Sequence, residues 1–162
     1  MSATPLVDLL EKYLTVHEQL LQSSRKKTEV LKKGDTDALM TIVKEEQKIL
    51  AMINQMEKKR MELMTDFAHD CLAQDLTLTA CIELAPSSEQ VVLKRLQDQL
   101  LEVMAELKEV NELNQQLIEQ SLQFVNMTLQ LILPQPQEIS YRHPHSTSLR
   151  QDNSWTIFDS KA

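Results

Sequence analysis

VNELNQQLIEQSLQFVNMTLQLIL, residues 110–133, is the second half of a long run of helical periodicity, and its pattern decides how the chain must fold. At about 100° per residue its apolar side chains fall on two stripes. The first extends an upstream seam of Leu93, Leu96, Leu100, Val103 and Leu107 through Asn111, Asn114, Ile118, Leu122, Val125, Leu129 and Ile132. A seam of that length calls for other helices of the same chain to cover it. The second stripe, roughly 120° around the helix, comprises Leu113, Leu117, Phe124, Met127 and Leu131, and upstream its place is taken by Arg95, Gln99, Glu102 and Glu106. Only the C-terminal half is therefore apolar on two sides. No side chain in residues 120–137 carries a charge, although 25% of the chain is charged. The wall between the stripes is amide-rich, with Gln115, Gln116, Gln123, Asn126 and Gln130. Such a surface is soluble yet poorly defended against association.

At 162 residues the chain is one domain's worth with a tail, long enough to bury a core without staples. One glycine, 4% aromatic residues and eight methionines point to long helices with few tight turns. With Gly34 alone there is no Walker loop, dinucleotide fingerprint or glycine-rich oxyanion turn, since each needs several glycines for close backbone approach. The net charge of −7 argues against a general affinity for nucleic acid, so Arg25-Lys26-Lys27 and Lys58-Lys59-Arg60 read as solvated helix faces. No basic flank precedes an apolar run at the N-terminus, and no stretch approaches the roughly 20 apolar residues of a membrane span, which predicts a cytoplasmic protein. Cys71 and Cys81 then read as small buried apolar groups near a helix end.

The chain is expected to be all-α: an antiparallel bundle, or coiled coil, of three long helices and one short connecting helix. Helix 1 opens with Thr4 as N-cap and Pro5 at the first helical position. Its inward line is Leu6, Leu10, Tyr13, His17, Leu20 or Leu21, Ser24, Thr28 and Leu31, and Lys32, Lys33 and then Gly34 end it. Asp35 caps helix 2, whose seam of Leu39, Ile42, Glu46, Ile49, Ile53, Met56, Arg60, Leu63 and Phe67 holds a 3.5-residue period over four heptads. Glu46 and Arg60 interrupt it and are too far apart to pair within one helix. They call for partners on other helices, for snorkelling, or for a wet place at the seam's edge. Asp75 or Thr77 caps a short helix to about residue 84, and Pro86 stops it. Ser87 with Gln90 has the spacing of a capping box for the last helix, which Pro134 and Pro136 end at Leu133.

The division expected is a helical domain of residues 1–133 and a flexible tail of residues 134–162, rich in Pro, Ser, Gln and Asn and expected to be disordered in isolation. Trp155, Ile157 and Phe158 form an apolar knot near its end, suited either to docking elsewhere or to latching onto the bundle. If helices 2 and 4 run antiparallel from the short helix, residue 126 falls near Asp35, helix 1 covers roughly residues 98–126, and roughly the last seven residues overhang. Leu113, Leu117 and Phe124 are thus claimed equally by helix 1 and by a partner.

No catalytic or metal constellation emerges. Di-metal bundle sites use paired Glu-x-x-His motifs, whereas here only Asp66-x-x-His69 approximates one and His17 has no acid at the required offset. His143-Pro144-His145 lacks further ligands. The serines cluster at caps and in the tail, with no nucleophile–base pair. Neither an enzyme nor a bound cofactor is expected.

Two segments carry a resemblance. The pattern GD-x-x-AL-x-x-IV-x-x-EQ (Gly34, Asp35, Ala38, Leu39, Ile42, Val43, Glu46, Gln47), followed by Arg60, and the pattern N-x-x-N-x-x-LI-x-x-SL-x-F (Asn111, Asn114, Leu117, Ile118, Ser121, Leu122, Phe124) resemble the FlgN family of flagellar export chaperones over about residues 5–133. The resemblance implies a cytosolic protein that binds the C-terminal segments of the hook-associated proteins FlgK and FlgL, holds them from early assembly or degradation and hands them to the export gate. On that basis Leu113, Leu117, Ile118, Leu122, Phe124, Met127 and Leu131 are the expected client-binding residues, by helix-in-groove recognition. Tyr141, Trp155, Ile157 and Phe158 are candidates for docking to the export gate, with FlhA as the partner implied. The alternative from another class is a structural coiled coil that forms a homo-oligomer through the C-terminal helix.

Overall fold

The computed structural model describes residues 2–70 and 77–133. Four helices account for nearly all of them: α1 (Thr4–Lys33), α2 (Thr36–Asp70), α3 (Leu78–Leu84) and α4 (Ser87–Ile132), with no strand among the described residues. Three long helices and a short connector are the architecture expected. The tail lies outside the described residues.

The helix ends follow local chemistry, with two adjustments. Gly34 takes the left-handed conformation at φ 68°, which lets its N–H and that of Asp35 reach the carbonyls of Leu31 and Val30 at the end of α1. One Asp35 carboxylate oxygen then accepts from the Ala38 N–H at 3.0 Å and starts α2. Thr77 caps α3 by accepting from the Ala80 N–H at 3.2 Å; Asp75 is outside the described residues. At α1, however, the N-cap is Ala3 rather than Thr4, and its own side chain cannot cap the helix, although the Ser2 hydroxyl oxygen accepts from the Thr4 N–H at 3.2 Å. A carboxylate from α4 does so instead: Glu89 accepts from the Ala3 N–H at 2.5 Å and from the Ser2 and Thr4 hydroxyls. At α4 the expected capping box does not form. Ser87 is already helical after Pro86, and the Gln90 amide reaches back to donate to the Glu83 and Ala85 carbonyls that end α3.

α1 lies between α2 and α4, which nowhere bring Cα atoms within 8 Å of each other. α2 runs antiparallel to α1, as the pairs Tyr13–Glu57 and Ser24–Glu46 show, whereas α4 runs parallel to it, with Ala3 beside Glu89 and Thr28 beside Asn114. At the α3 end the interior is apolar. Leu6, Leu10, Leu14, Met64, Phe67, Ile82, Leu93, Leu96 and Leu100 bury one another there, with Cys81 on the buried face of α3. Cys71 is outside the described residues. Truncating a fully buried Leu10 or Leu93 to alanine would cost about 2–5 kcal/mol.

Towards the α1–α2 turn the interior becomes polar. Asn114 donates to the Ser24 carbonyl at 3.0 Å and accepts from the Thr28 hydroxyl at 2.6 Å. Buried Glu46 accepts from Lys27 at 2.6 Å and from Ser24 at 3.4 Å, so its seam position is satisfied by a helix other than its own. Arg60 finds its partner on α2 itself, where Glu57 one turn earlier receives its Nε and Nη2 at 2.8 and 2.5 Å.

The α1–α4 register corrects the expected overhang. The offset of 86 residues that sets Thr28 beside Asn114 brings the end of α1 level with about residue 119, not 126. Roughly fourteen residues of α4, about 20 Å, therefore project beyond α1, about twice the length expected. The first stripe accordingly loses its intramolecular cover after Asn114: Ile118, Leu122, Val125, Leu129 and Ile132 are all exposed.

Candidate functional site

Among the described residues, exposed large apolar side chains follow one another most closely on the projecting end of α4. Its helix is continued by hydroxyls that donate to their own i−4 carbonyls, Ser121 to Leu117 and Thr128 to Phe124, both at 2.9 Å. The Leu133 N–H bonds to the Leu129 carbonyl, and Pro134 follows. Those hydroxyls are thereby spent locally, and the outward chemistry of the segment is aliphatic, aromatic and amide.

Among the residues expected to bind a client, Leu122, Phe124, Met127 and Leu131 are 58, 71, 65 and 87% exposed. Ile118 and Leu113 are exposed to a smaller degree, and Leu117 is half-buried against the end of the bundle. Of the three residues claimed by both helix 1 and a partner, Phe124 lies beyond α1 altogether and Leu117 is partly covered. Val125, Leu129, Ile132 and Leu133 belong to the same bare surface, although the seam pattern assigned the first three to the interior. Tyr141, Trp155, Ile157 and Phe158 lie outside the described residues.

The bare surface continues into a groove between α2 and α4 that has α1 as its floor. Because those two helices do not meet, two clefts open along it. One, of about 310 Å³, is lined by Leu20, Lys27, Glu46, Leu50, Asn111, Asn114, Gln115 and Ile118. The other, of about 270 Å³, is lined by Leu10, Tyr13, Glu57, Arg60, Leu78, Gln97, Leu100, Leu101 and Met104. Leu50, Leu101 and Met104 were not singled out in the sequence. For Leu101 and Met104 the signal was their heptad spacing with Gln97, a short row beside the seam that meets it at Asn111.

Charge in the groove is internally balanced. The Tyr13 hydroxyl donates to Glu57 at 3.0 Å, and burial together with this bond pushes the phenol up to about 12. The Arg60 guanidinium holds the Glu57 carboxyl below its usual range against the opposing effect of burial, and that pairing in turn raises the Arg60 pKa. The basic clusters are not simply solvated faces. Lys27 and Arg60 are drawn inward to Glu46 and Glu57, while Arg25 pairs with Glu106 and Lys59 with Glu62.

His17 is buried, its Nδ1 2.7 Å from the Tyr13 carbonyl and its ring 4.2 Å from the Tyr13 ring, which makes it a packing residue. Asp66 and His69 are both exposed. No group of three or more His, Cys, Asp or Glu able to hold a metal occurs among the described residues. No described helix is long and apolar enough to cross a membrane.

The model of the family described as "FlgN protein" matches residues 1–148. The chain belongs to the FlgN family. A FlgN-family chain over this length carries the general role of a flagellar export chaperone, and the family is a chaperone family rather than an enzymatic one. The chain is also similar to the "Uncharacterized protein YvyG" of Bacillus subtilis (strain 168), 34% identical over 162 residues that span 100% of both chains. No solved structure matches.

Proposed function

We propose that this FlgN-family protein is a cytoplasmic chaperone of flagellar type III export whose clients are the hook-associated proteins FlgK and FlgL. It binds their C-terminal segments, prevents early assembly and delivers them to the export apparatus. One observation carries the reading: α4 projects past α1 as an uncharged helix that is apolar on two faces and has no partner of its own within the bundle. A client segment that folds as an amphipathic helix buries its apolar side on Leu117, Ile118, Leu122, Phe124, Met127 and Leu131, with Leu113 at the root. Each large side chain that goes from exposed to buried contributes about 1.5–3 kcal/mol before ordering costs, so three or four well-seated contacts suffice for micromolar affinity. The flanking amides Gln123, Asn126 and Gln130 supply hydrogen bonds that tolerate more than one client sequence. In this scheme residues 1–133 are the chaperone domain and residues 134–162 a flexible tail. Tyr141, Trp155, Ile157 and Phe158 in that tail dock the loaded chaperone to the export gate protein FlhA.

Deleting residues 120–162 tests the client site. Binding of FlgK or FlgL C-terminal fragments by calorimetry is expected to vanish while the remaining helices keep their circular dichroism, since the deleted part of α4 supports nothing in the bundle. Unchanged binding sinks the reading. Light scattering of the free protein at high concentration distinguishes it from a structural coiled coil, which would give a multimer where a chaperone of this kind gives a monomer. Truncation at Pro134 is expected to leave client binding intact and to impair secretion.

A further inference from the structure

We infer that the groove between α2 and α4 is the seat of a fourth helix, supplied by a partner other than the client. That helix is amphipathic and about six turns long, with acidic residues along the flank that meets α2 and basic residues along the flank that meets α4. The inference does not rest on the client reading of the α4 tip.

The packing of the three long helices leaves the place open. In a four-helix bundle neighbouring axes stand about 8–10 Å apart and diagonal ones farther. α1 packs on both α2 and α4, yet those two never bring Cα atoms within 8 Å, so they stand as the diagonal pair of a bundle with one corner empty. Of the ten large apolar residues exposed before Ile118, six belong to the walls of that corner. Met40, Val43, Leu50 and Met61 recur at heptad spacing along α2, and Leu101 and Met104 stand on α4. Leu50, Leu101 and Met104 line the two clefts of the groove directly. From Met40 to Met61 the α2 wall is about 30 Å long, which sets the length of the occupant at about six turns.

Charge on the walls specifies its chemistry. Just outward of the groove-facing row of α2 lie Lys44, Ala51 and Lys58, seven residues apart and exposed. The equivalent positions of α4 are Asp98, Ala105 and Glu112, also exposed. Glu57 shares one cleft with Leu100 and Glu46 shares the other with Asn111, so the antiparallel register sets Lys58 level with Asp98, Ala51 with Ala105 and Lys44 with Glu112. Lys44 and Lys58 form no ion pair among the described residues. Asp98 and Glu112 have only a lysine one turn back on their own helix, at 3.0 and 4.0 Å, and exposed pairs of that kind are weak. Both walls therefore keep their charge for a helix laid between them, at the flanking positions that choose partners in coiled coils. The projecting tip of a second copy does not qualify, since residues 120–133 carry no charge.

The floor adds one requirement. Arg60 gives Nε and Nη2 to Glu57, but its Nη1 reaches only the Met64 sulfur at 2.9 Å, a weak acceptor. A side-chain amide oxygen on the inner face of the fourth helix, level with Leu101, supplies the better acceptor without upsetting the balance of Glu57 and Arg60.

The probe is a synthetic helix of about four heptads, with leucine and isoleucine on its inner face, glutamate along one flank and lysine along the other. Anisotropy of a dye on its end, below the concentration at which it self-associates, is expected to show micromolar binding to the full chain. Lys44→Glu with Lys58→Glu turns two attractions into repulsions at exposed sites and should weaken the probe about tenfold. A second probe with the same inner face and lysine on both flanks should gain on that variant, so that the preference between the two probes inverts. Leu50→Glu with Leu101→Glu, also at exposed sites, should abolish binding of both, whereas Phe124→Glu with Leu131→Glu at the α4 tip should alter neither. The inference is overturned if the charge reversal leaves the preference unchanged, if either probe still binds the Leu50 and Leu101 variant, or if the tip variant abolishes binding. It is equally overturned if the free chain self-associates and Leu50→Glu with Leu101→Glu makes it monomeric, which would place a second copy in the groove. No client enters these measurements, so their failure leaves the client site standing, and failure of the client site leaves them readable.

Discussion

Replacing Asn114 by alanine removes the one buried side chain of α4 that bonds across to α1 in the polar half of the bundle. Asn114 is 2% exposed and makes two side-chain hydrogen bonds, to the Ser24 carbonyl and from the Thr28 hydroxyl. After the substitution neither partner is orphaned, because the Thr28 hydroxyl also lies 3.2 Å from the Ser24 carbonyl and can donate to it alone. The loss is therefore two exchanged hydrogen bonds at about 1 kcal/mol each, with about 1 kcal/mol more for the space vacated. The expected total of about 3 kcal/mol corresponds to a melting temperature lowered by roughly 10 °C. Asn111→Ala, three residues earlier on an exposed position, should move stability by less than about 0.5 kcal/mol. Asn114→Leu fills the space and leaves Thr28 and Ser24 to each other, so it should cost about 1 kcal/mol or less. Urea titration followed by circular dichroism measures all three. Equal effects of Asn114→Ala and Asn111→Ala would refute the account, and so would an Asn114→Leu variant less stable than the alanine one.

The Tyr13–Glu57–Arg60 cluster makes stability fall at both pH extremes. The carboxyl of Glu57 is depressed in the fold, so its contribution is present above its ordinary value of 4.5 and is lost as pH falls through the lower folded value. Tyr13 is raised, so its contribution is complete below pH 10 and is lost as pH rises from 10 through about 12. The alkaline slope of the urea midpoint should flatten in Tyr13→Phe. Gly34→Ala should cost about 1 kcal/mol by thermal melting, from backbone strain alone, because an added Cβ meets nothing within 4 Å, and Gly34→Asn should cost less. Glu89→Ala removes the acceptor that α4 lends to the start of α1, so amide exchange should quicken at residues 3–7 while the melting temperature changes little.

Much of the fold was legible because its signals are local. Gly34, Asp35 and Thr77 mark boundaries through the conformation or the bond each makes with its immediate neighbours, and the heptad positions of α2 read inward as the period requires. Register was not legible. It depends on Glu89 reaching Ala3 and on Thr28 meeting Asn114, contacts 86 residues apart that no spacing rule encodes. Counting helix lengths misplaced the end of α1 by about two turns, and that is why Leu122 and Val125 were expected to be covered by α1 and are exposed instead. The groove beside α2 escaped for a related reason. Leu50, Leu101 and Met104 form a row only once α1 is known to separate α2 from α4. The uncharged, two-sided apolar character of residues 120–133 needed no register, and it marked the end of α4 that the fold leaves exposed.

The graded interior gives this rod a direction in which it comes apart. From the dry cluster under α3 to the amides and hydroxyls around Asn114 and on to a single unsupported helix, the free energy of local opening declines along α4. A lone segment of roughly fourteen residues is marginal as a helix in water, so its last turns fray and re-form far faster than the bundle melts. A molecule pulled from that tip gives way there first, and the anchored end, with both the N-terminus and α3, stays closed. If cargo binds that tip as proposed, it can be stripped mechanically without the carrier being consumed, and the emptied tip is ready to wind up again.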